Sequence, residues 1–222
     1  MELLAALRTR RSIRAFKPDP VPRDLVTQVL EAARWAPSWG NTQPWDVVVV
    51  GPGATARLTA ALVQAFEDKV PPNPDVPMPQ TFPDANKARY LACAAGLFGT
   101  MGIAREDKAS RWAHMVNMTR AFGAPVLLYV LFNSELQVPY TMLDLGAICH
   151  GICLAAHDLG LGTCLEAQLA LYPDLVRQHL GLPATHQIVV GIALGYVDGA
   201  APANAFRTDR EPVAKFVQWI GW

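Results

Sequence analysis

Three arginines near the N-terminus are the first candidates for binding chemistry. Arg10, Arg11 and Arg14 lie within five residues around Ser12, in the stretch "RTRRSIRAF" (8–16). A guanidinium presents a rigid fork of N–H donors to phosphate or carboxylate oxygens, and a serine hydroxyl adds another hydrogen bond. The pattern indicates a binding site for an anionic group. A solvated helix C-terminus, where cations favour the helix dipole, is an equally open interpretation.

A second stretch, "APSWGNTQPWDV" (36–47), joins a helix-like run to a strand-like run. It offers backbone amides, the Ser38 hydroxyl and the side-chain amides of Asn41 and Gln43 beside large aromatic faces. Such groups suit a flat heterocycle with donors and acceptors on its edge. Taken alone, the stretch favours a structural explanation, in which its prolines stiffen the loop and its tryptophans anchor it in the core.

The overall composition indicates one compact domain, residues 1–222. The chain is 51% hydrophobic and 17% charged, which suits a sizeable core. Lys plus Arg and Asp plus Glu are each 19, so the net charge is zero and no global field favours nucleic acid or an anionic membrane. Any anionic ligand must therefore be held by local cations.

The location is predicted to be cytoplasmic. The four cysteines have no CxxC spacing and apolar surroundings, so free core thiols in a reducing compartment are expected. The longest apolar tract, about 142–165, is interrupted by Asp144, His150, His157 and Asp158, which argues against a membrane span.

The elements that must position these residues follow from hydrophobic periodicity. It predicts helices over 2–9, 22–35, 54–67, 86–103, 105–121, 140–159 and 173–180, and strands over 45–50, 125–132, 162–167 and 187–197. The six prolines of 69–84 predict a loop or lid. The C-terminal tail carries four aromatics that need a surface to bury them, such as a partner subunit. The expected fold class is α+β or an α/β sandwich.

Taken together, the two opening stretches resemble the FMN-dependent nitroreductases. That family has an early "RRSxRxF" followed by a helix and "APSxxNxQPW", and here the two stand at 10–16 and 36–45. Later landmarks match in the same order: "AAHDLGLGTCLEA" (155–167), "GIALGYVDG" (191–199) and "NAFRTDREPV" (204–213). Because the motifs occur in the same order across most of the chain, together they support the resemblance more strongly than any one of them does.

The resemblance implies an α+β, nitroreductase-like fold with a central, mostly antiparallel sheet flanked by helices, and an intertwined homodimer with two FMN sites at the interface. The cofactor-binding residues that it implies are, from one subunit, Arg10, Arg11, Ser12, Arg14 and Arg210, with Arg207 as an alternative or additional partner, and from the other, Pro37, Ser38, Trp39 and Asn41. The set also includes Leu165 and Glu166. Arg207 and Arg210 are unranked candidates at the phosphate. Leu165 and Glu166 fall where the family presents backbone beside the reactive flavin nitrogen.

The implied activity is ping-pong reduction of small nitroaromatic compounds, with NADH or NADPH as donor, through nitroso to hydroxylamino products. No side chain is needed as a catalyst, since the flavin carries the redox chemistry. Arg14 and Glu166 are candidates for tuning it, Arg14 by facing an anionic reduced flavin. Many relatives have a small residue where Trp39 stands, so Trp39 is a candidate for substrate selection.

Other interpretations remain open at this point. The chain could be a quinone or enone reductase of the same fold, an enzyme that destroys flavin with oxygen, or a flavin-binding redox sensor. A mobile 69–84 segment would favour small-molecule turnover, and an ordered exposed one would favour a partner. Cys149, Cys153 and His157 share a helical spacing, but no fourth ligand appears, and no metal site is predicted.

Overall fold

A four-stranded antiparallel sheet forms the centre of the computed structural model, which describes residues 1–222. Its order is β1-β2-β4-β3, and every neighbouring pair is antiparallel. The strands are β1 Asp46–Val50, β2 Val126–Asn133, β3 Gly162–Glu166 and β4 His186–Gly195. The α+β prediction with an antiparallel sheet is therefore confirmed.

Strand β2 lies between β1 and β4, and both of its faces are buried. Its sequence, VLLYVLFN, is apolar at every position but the last, and those seven residues are buried. Alternate side chains point to opposite faces of a strand, so β2 contributes to two cores. Leu127, Tyr129 and Leu131 pack on one side, while Leu128 and Val130 pack on the other.

The chain forms seven α-helices, four of which pack on the two faces of the sheet. They are α1 Leu3–Thr9, α2 Arg23–Ala33, α3 Pro52–Glu67, α4 Asp84–Thr100, α5 Lys108–Thr119, α6 Val138–Asp158 and α7 Pro173–Leu180. Helices α3 and α7 contribute to one core, and α2 and α6 contribute to the other. All the predicted helices exist, with ends displaced by a few residues. For example, α5 begins at Lys108 because Asp107 caps it, accepting a bond from Ser110 N at 2.9 Å.

Helix α6 is long and apolar enough, by length and composition alone, to cross a membrane. Its Leu145, Ile148 and Ile152 are buried in the same core as β2 and β4. This is the packing expected of the core helix of a globular domain.

The arginine-rich stretch lies along the outer edge of β3. Ile13 N donates to Thr163 O at 2.9 Å, and Lys17 N donates to Tyr196 O at 2.9 Å. Gly162 permits this close approach, since a Cβ there would lie 2.7 Å from the Ile13 side chain. The alternative that these arginines end a helix is correct for Arg10, which is the C-cap residue of α1 and donates its N–H to Ala6 O at 3.0 Å, whereas Arg11 and Arg14 lie beyond the helix.

The proline-rich stretch is a coil, as predicted, and its first half is fixed. Asn73 N donates to Leu171 O at 3.0 Å. Asp75 forms an ion pair with Arg177 and accepts a bond from Ile188 N at 2.8 Å. The stretch is thereby tied to α7 and β4, whereas residues 77–83 are exposed.

Two elements leave apolar surface uncovered within one chain. Helix α4 buries only Leu97, and its Gly96 lies against the ring of Phe206. In the tail, Phe216, Trp219 and Trp222 are exposed, Trp222 by 98%. The expectation that the tail buries its aromatics is not met inside the chain for these three residues.

Candidate functional site

A buried amide holds the arginine-rich stretch against the C-terminal part of the chain. Asn204 is only 2% exposed. Its Oδ1 accepts from Arg14 N at 2.7 Å, and its Nδ2 donates to Ala15 O and Asp198 O, both at 2.8 Å. Asn204 thus fixes the backbone that carries Arg14. Asn204 begins the "NAFRTDREPV" motif, but its role could not be predicted from the sequence, because a single asparagine gives no signal of burial.

Arg11 and Arg207 share one backbone acceptor. Arg11 Nε donates to Asn204 O at 3.0 Å, and Arg207 Nη1 donates at 3.0 Å to the same oxygen and to the carbonyls of Ala205 and Phe206. Burial, and after it the charge of Arg207, lowers the pKa of Arg11 from its usual value. Two neighbouring cations favour an anion between them.

Arg207 and Arg210 line one cavity of about 580 Å³ between α4 and the tail. Arg210 Nη1 is held by Thr208 Oγ1 at 2.7 Å and Asp209 O at 2.8 Å. Arg89 of α4, which was not predicted, lines the same cavity and pairs with Glu211 at 3.0 Å. Both arginines predicted at the phosphate therefore open onto the same space.

Arg10 faces a different cleft, of about 330 Å³, on the α6 side of the sheet. Its Nε is buried without a hydrogen-bond partner. The other residues that line the cleft are mostly apolar or small: Met142, Leu145, Gly146, Cys149, His150, Cys153, Leu165, Val189 and Val190. A cation above an apolar wall suits a planar ligand with polar atoms at its edge.

The outer edge of β3 presents backbone groups at Leu165. Backbone groups point alternately to the two sides of a strand. Thr163 O accepts from Ile13 N on the outer side, so the N–H and C=O of Leu165, two residues on, also face away from β4. The Leu165 side chain is 41% exposed. This edge can donate to a bound ligand.

Arg14 lies near two buried titratable side chains, Glu166 and His114. Glu166 is 4% exposed, and neither carboxyl oxygen has a hydrogen-bond partner. Burial raises the pKa of Glu166 well above its usual value, and Arg14 opposes this only in part. Burial also lowers the pKa of His114, and Arg14 lowers it further. Burial therefore disfavours the charged form of both side chains.

The loop of Pro37, Ser38, Trp39 and Asn41 is anchored on α6. Trp39 N donates to both carboxylate oxygens of the buried Asp144, at 3.1 Å each. Ser38 Oγ accepts from Gln43 N at 3.0 Å. The role of Asp144 as the anchor was not predicted from the sequence. Of the two tryptophans expected to anchor the loop in the core, Trp45 packs against the core that α2 and α6 share, whereas Trp39 is 65% exposed and its ring lies 6.0 Å from the ring of Tyr140.

The two groups of predicted residues contact α6 at different positions. Asp144 holds the loop, while His157 Nε2 lies 2.8 Å from Thr9 Oγ1, just before the arginines. At 1.5 Å per residue these two anchor points are about 20 Å apart along the helix axis. The arginine-rich stretch, Leu165 and Glu166 lie at β3, and the cleft lined by Arg10 and Leu165 extends to Met142, Leu145 and Gly146 of α6, next to the loop anchor Asp144.

Comparison with known proteins identifies the family. The nitroreductase family model matches residues 7–196. The chain belongs to the nitroreductase family. It is similar to the 4-nitrobenzoate reductase of Pseudomonas putida, with 32% identity over 98% of this chain and 95% of the relative. It is also similar to the nitrobenzene nitroreductase of Ectopseudomonas oleovorans, with 31% identity over 96% and 95%.

Solved nitroreductases have the same fold. The FMN- and NADPH-dependent nitroreductase NfnB from Sphigopyxis sp. strain HMH superposes with a TM-score of 0.95, at 31% identity and full coverage of both chains. The FMN-dependent NfnB from Mycobacterium smegmatis, in complex with NADPH, superposes with a TM-score of 0.92, at 30% identity over 98% and 97%. The predicted nitroreductase-like fold is thus confirmed.

In this nitroreductase, the two cysteines of α6 are buried core residues. Cys149 and Cys153 are buried free thiols, and no group of three or more His, Cys, Asp or Glu side chains is arranged to hold a metal ion. Burial raises the pKa of Cys149 to about 12, so that thiol stays protonated at neutral pH.

Proposed function

We propose that this nitroreductase is an FMN-dependent enzyme that uses NADH or NADPH to reduce nitroaromatic compounds to nitroso and hydroxylamino products in two-electron, ping-pong steps. The observation that carries the proposal is the set of arginines held by Asn204 beside the outer edge of β3. The relatives support it, since those named above reduce 4-nitrobenzoate and nitrobenzene.

The residues present fit FMN. When bound, FMN supplies the redox chemistry between the nicotinamide and the nitro compound. Arg11, Arg207 and Arg210 would hold its phosphate, because adjacent guanidinium groups are stabilised by a dianion. This explains how a chain of zero net charge retains an anionic cofactor.

The flavin ring would lie along the β3 edge. Leu165 presents free backbone groups there, and the orphaned Arg10 Nε lines the cleft on the same side. Arg14 would face the pyrimidine end of the ring and stabilise negative charge on the reduced cofactor. Ser12, bridged to Thr163, would add a hydroxyl close to these cations.

The working unit would be an intertwined homodimer. Helix α6 exposes a stripe at helical spacing, Leu143, Gly146 and His150, which a second copy can cover. A second copy would also supply Pro37, Ser38, Trp39 and Asn41, the loop residues that the family resemblance assigns to the other subunit. Two FMN sites would result, each lined by both subunits.

The oxidant would be a small aromatic compound placed beside Trp39. That indole is exposed and tilted against Tyr140, so both rings are available to a flat substrate. The arginines near the same site would favour substrates that carry a nitro or carboxylate group.

A second candidate function is NADH-driven reduction of a quinone. A relative named NADH dehydrogenase, from Thermus thermophilus, is 33% identical over 97% of this chain and 94% of its own length. The same cofactor site would serve, and only the preferred oxidant would differ.

The enzyme is expected to act as one domain in the cytoplasm. Residues 46–195 supply all four strands of a single sheet, so residues 1–222 offer no point of division. The four free cysteines suit a reducing compartment.

The test is to purify the protein, record its visible spectrum, and follow NADH and NADPH oxidation with nitrobenzene, 4-nitrobenzoate and a benzoquinone. Flavin absorbance and hydroxylamino products from the nitro compounds are expected. Colourless protein that takes up no added FMN would overturn the proposal. Turnover with the quinone alone would favour the second candidate.

A further inference from the structure

The buried carboxyl group of Glu166 lacks the partners that an ionised carboxylate needs. Neither Oε1 nor Oε2 accepts a hydrogen bond, and no cation lies within ion-pair distance. An ionised carboxylate out of water is costly unless donors or a close cation compensate it. A neutral acid tolerates the same surroundings at far lower cost.

The groups that face Glu166 come from several elements. Arg14 approaches from the edge stretch, Cys164 lies two residues away on β3, and Tyr129 approaches from β2. Burial, and then Glu166, raises the pKa of both Cys164 and Tyr129, so neither adds a charge at pH 7. His114 of α5, set between the rings of Phe98 and Phe122, is near Arg14 and is neutral as well.

We propose that Glu166 is a positioning residue that keeps its proton at neutral pH, so that Arg14 remains the single uncompensated charge of this cluster. If Glu166 were ionised, it would neutralise Arg14 and weaken its attraction for an anion. Kept neutral, it leaves the full charge of Arg14 to the reduced cofactor. The consequence for the cofactor rests on the proposed function, whereas the proton on Glu166 does not.

The proton can be observed directly by infrared spectroscopy of the cofactor-free protein. A protonated carboxylic acid has a carbonyl stretch that carboxylates lack. We expect this band in the wild-type protein at pH 7 and its loss in Glu166→Gln. The matched control is Glu67→Gln at the exposed end of α3, which should leave the band unchanged. A wild-type spectrum without the band would overturn the proposal, and this needs no variant to fold.

The consequence for Arg14 is tested by the reduction potential of bound FMN. Since glutamine is a neutral isostere of the protonated acid, Glu166→Gln should leave the potential at pH 7 close to that of the wild type. An ionised Glu166 paired with Arg14 predicts instead a clear rise in the variant, which would contradict the proposal. A protein that shows the acid band but takes up no FMN would refute the proposed function and leave the protonation of Glu166 standing.

Discussion

At the scale of single residues, the site depends on two buried polar side chains, and such side chains are mostly exposed in proteins. Asn204 satisfies its amide with three bonds, while Glu166 leaves its carboxyl without any. The first arrangement stabilises the fold and aims Arg14. The second costs free energy whenever the carboxyl ionises.

Glu166 predicts a specific pH dependence of stability. Its folded-state pKa is raised, so the folded protein retains a proton that the unfolded chain loses above its ordinary value of 4.5. The contribution of Glu166 to the free energy of unfolding is fully present below pH 4.5. It decreases as the pH rises toward the folded-state pKa, by up to about 1.4 kcal/mol per pH unit.

Urea unfolding of the cofactor-free protein between about pH 5 and pH 8 measures this effect. The unfolding free energy of the wild type should fall with pH relative to that of Glu166→Gln. Parallel curves for the two proteins would show that Glu166 titrates normally.

Removal of the Asn204 amide should damage both fold and site. Asn204→Ala leaves Arg14 N, Ala15 O and Asp198 O without partners, at a cost of about 2 kcal/mol or more. FMN affinity should fall as well, since the backbone that carries Arg14 is released. Urea unfolding and flavin fluorescence measure the two effects, and wild-type FMN affinity would remove Asn204 from the site. Gln178→Ala, which removes an exposed amide from α7, is the matched control.

At the scale of elements, α6 connects the two halves of the site. Its Asp144 fixes the 38–43 loop, and its other end lies against α1 beside the arginines. Gly40, Asn41 and Gln43 all have positive φ angles. Because this conformation is unfavourable for residues other than glycine, Asn41 and Gln43 need the anchor to hold the loop in place.

Asp144→Ala should therefore loosen the loop without unfolding α6. We expect weaker FMN binding, by about tenfold, and an altered substrate preference. The matched control is Asp158→Ala, which removes an exposed carboxylate from the far end of the same helix. Equilibrium dialysis with FMN compares the two variants, and equal affinities would contradict the role given to Asp144.

The sequence predicted elements well because strands and helices have periodic signals. VLLYVLFN and the helical pattern of α2 could be recognised from their letters alone. Asn204 and Asp144 could not, since each gains its role from a contact with a residue about 100 or more positions away. The arginines could be predicted because they are clustered in the sequence. Which cavity each of them lines could not be predicted, because that depends on how the chain folds around β3.

At the scale of the whole molecule, the proposed working unit is a homodimer. The α6 stripe, most of α4 and the tail aromatics are exposed in one chain. A second copy that covers this apolar surface and completes the site is the proposal that these features support.

A charge on the α6 stripe should separate the subunits. Leu143→Glu alters a side chain that is 68% exposed in one chain, yet it should yield monomers that bind FMN poorly, since the carboxylate would be buried against the second copy. Gln178→Glu adds the same charge to the exposed face of α7 and should leave the dimer intact. Analytical ultracentrifugation distinguishes them, and a dimeric Leu143→Glu protein would place the interface elsewhere.

The composite site itself is tested most directly by subunit complementation. Arg14→Glu damages the arginine half, and Ser38→Asp damages the loop half, so each homodimer should bind FMN poorly. In dimers refolded from an equal mixture, half are mixed, and each mixed dimer has one site built from two intact halves. A composite site therefore predicts FMN binding at about a quarter of the wild-type stoichiometry. FMN binding no higher than the average of the two parent variants would contradict it.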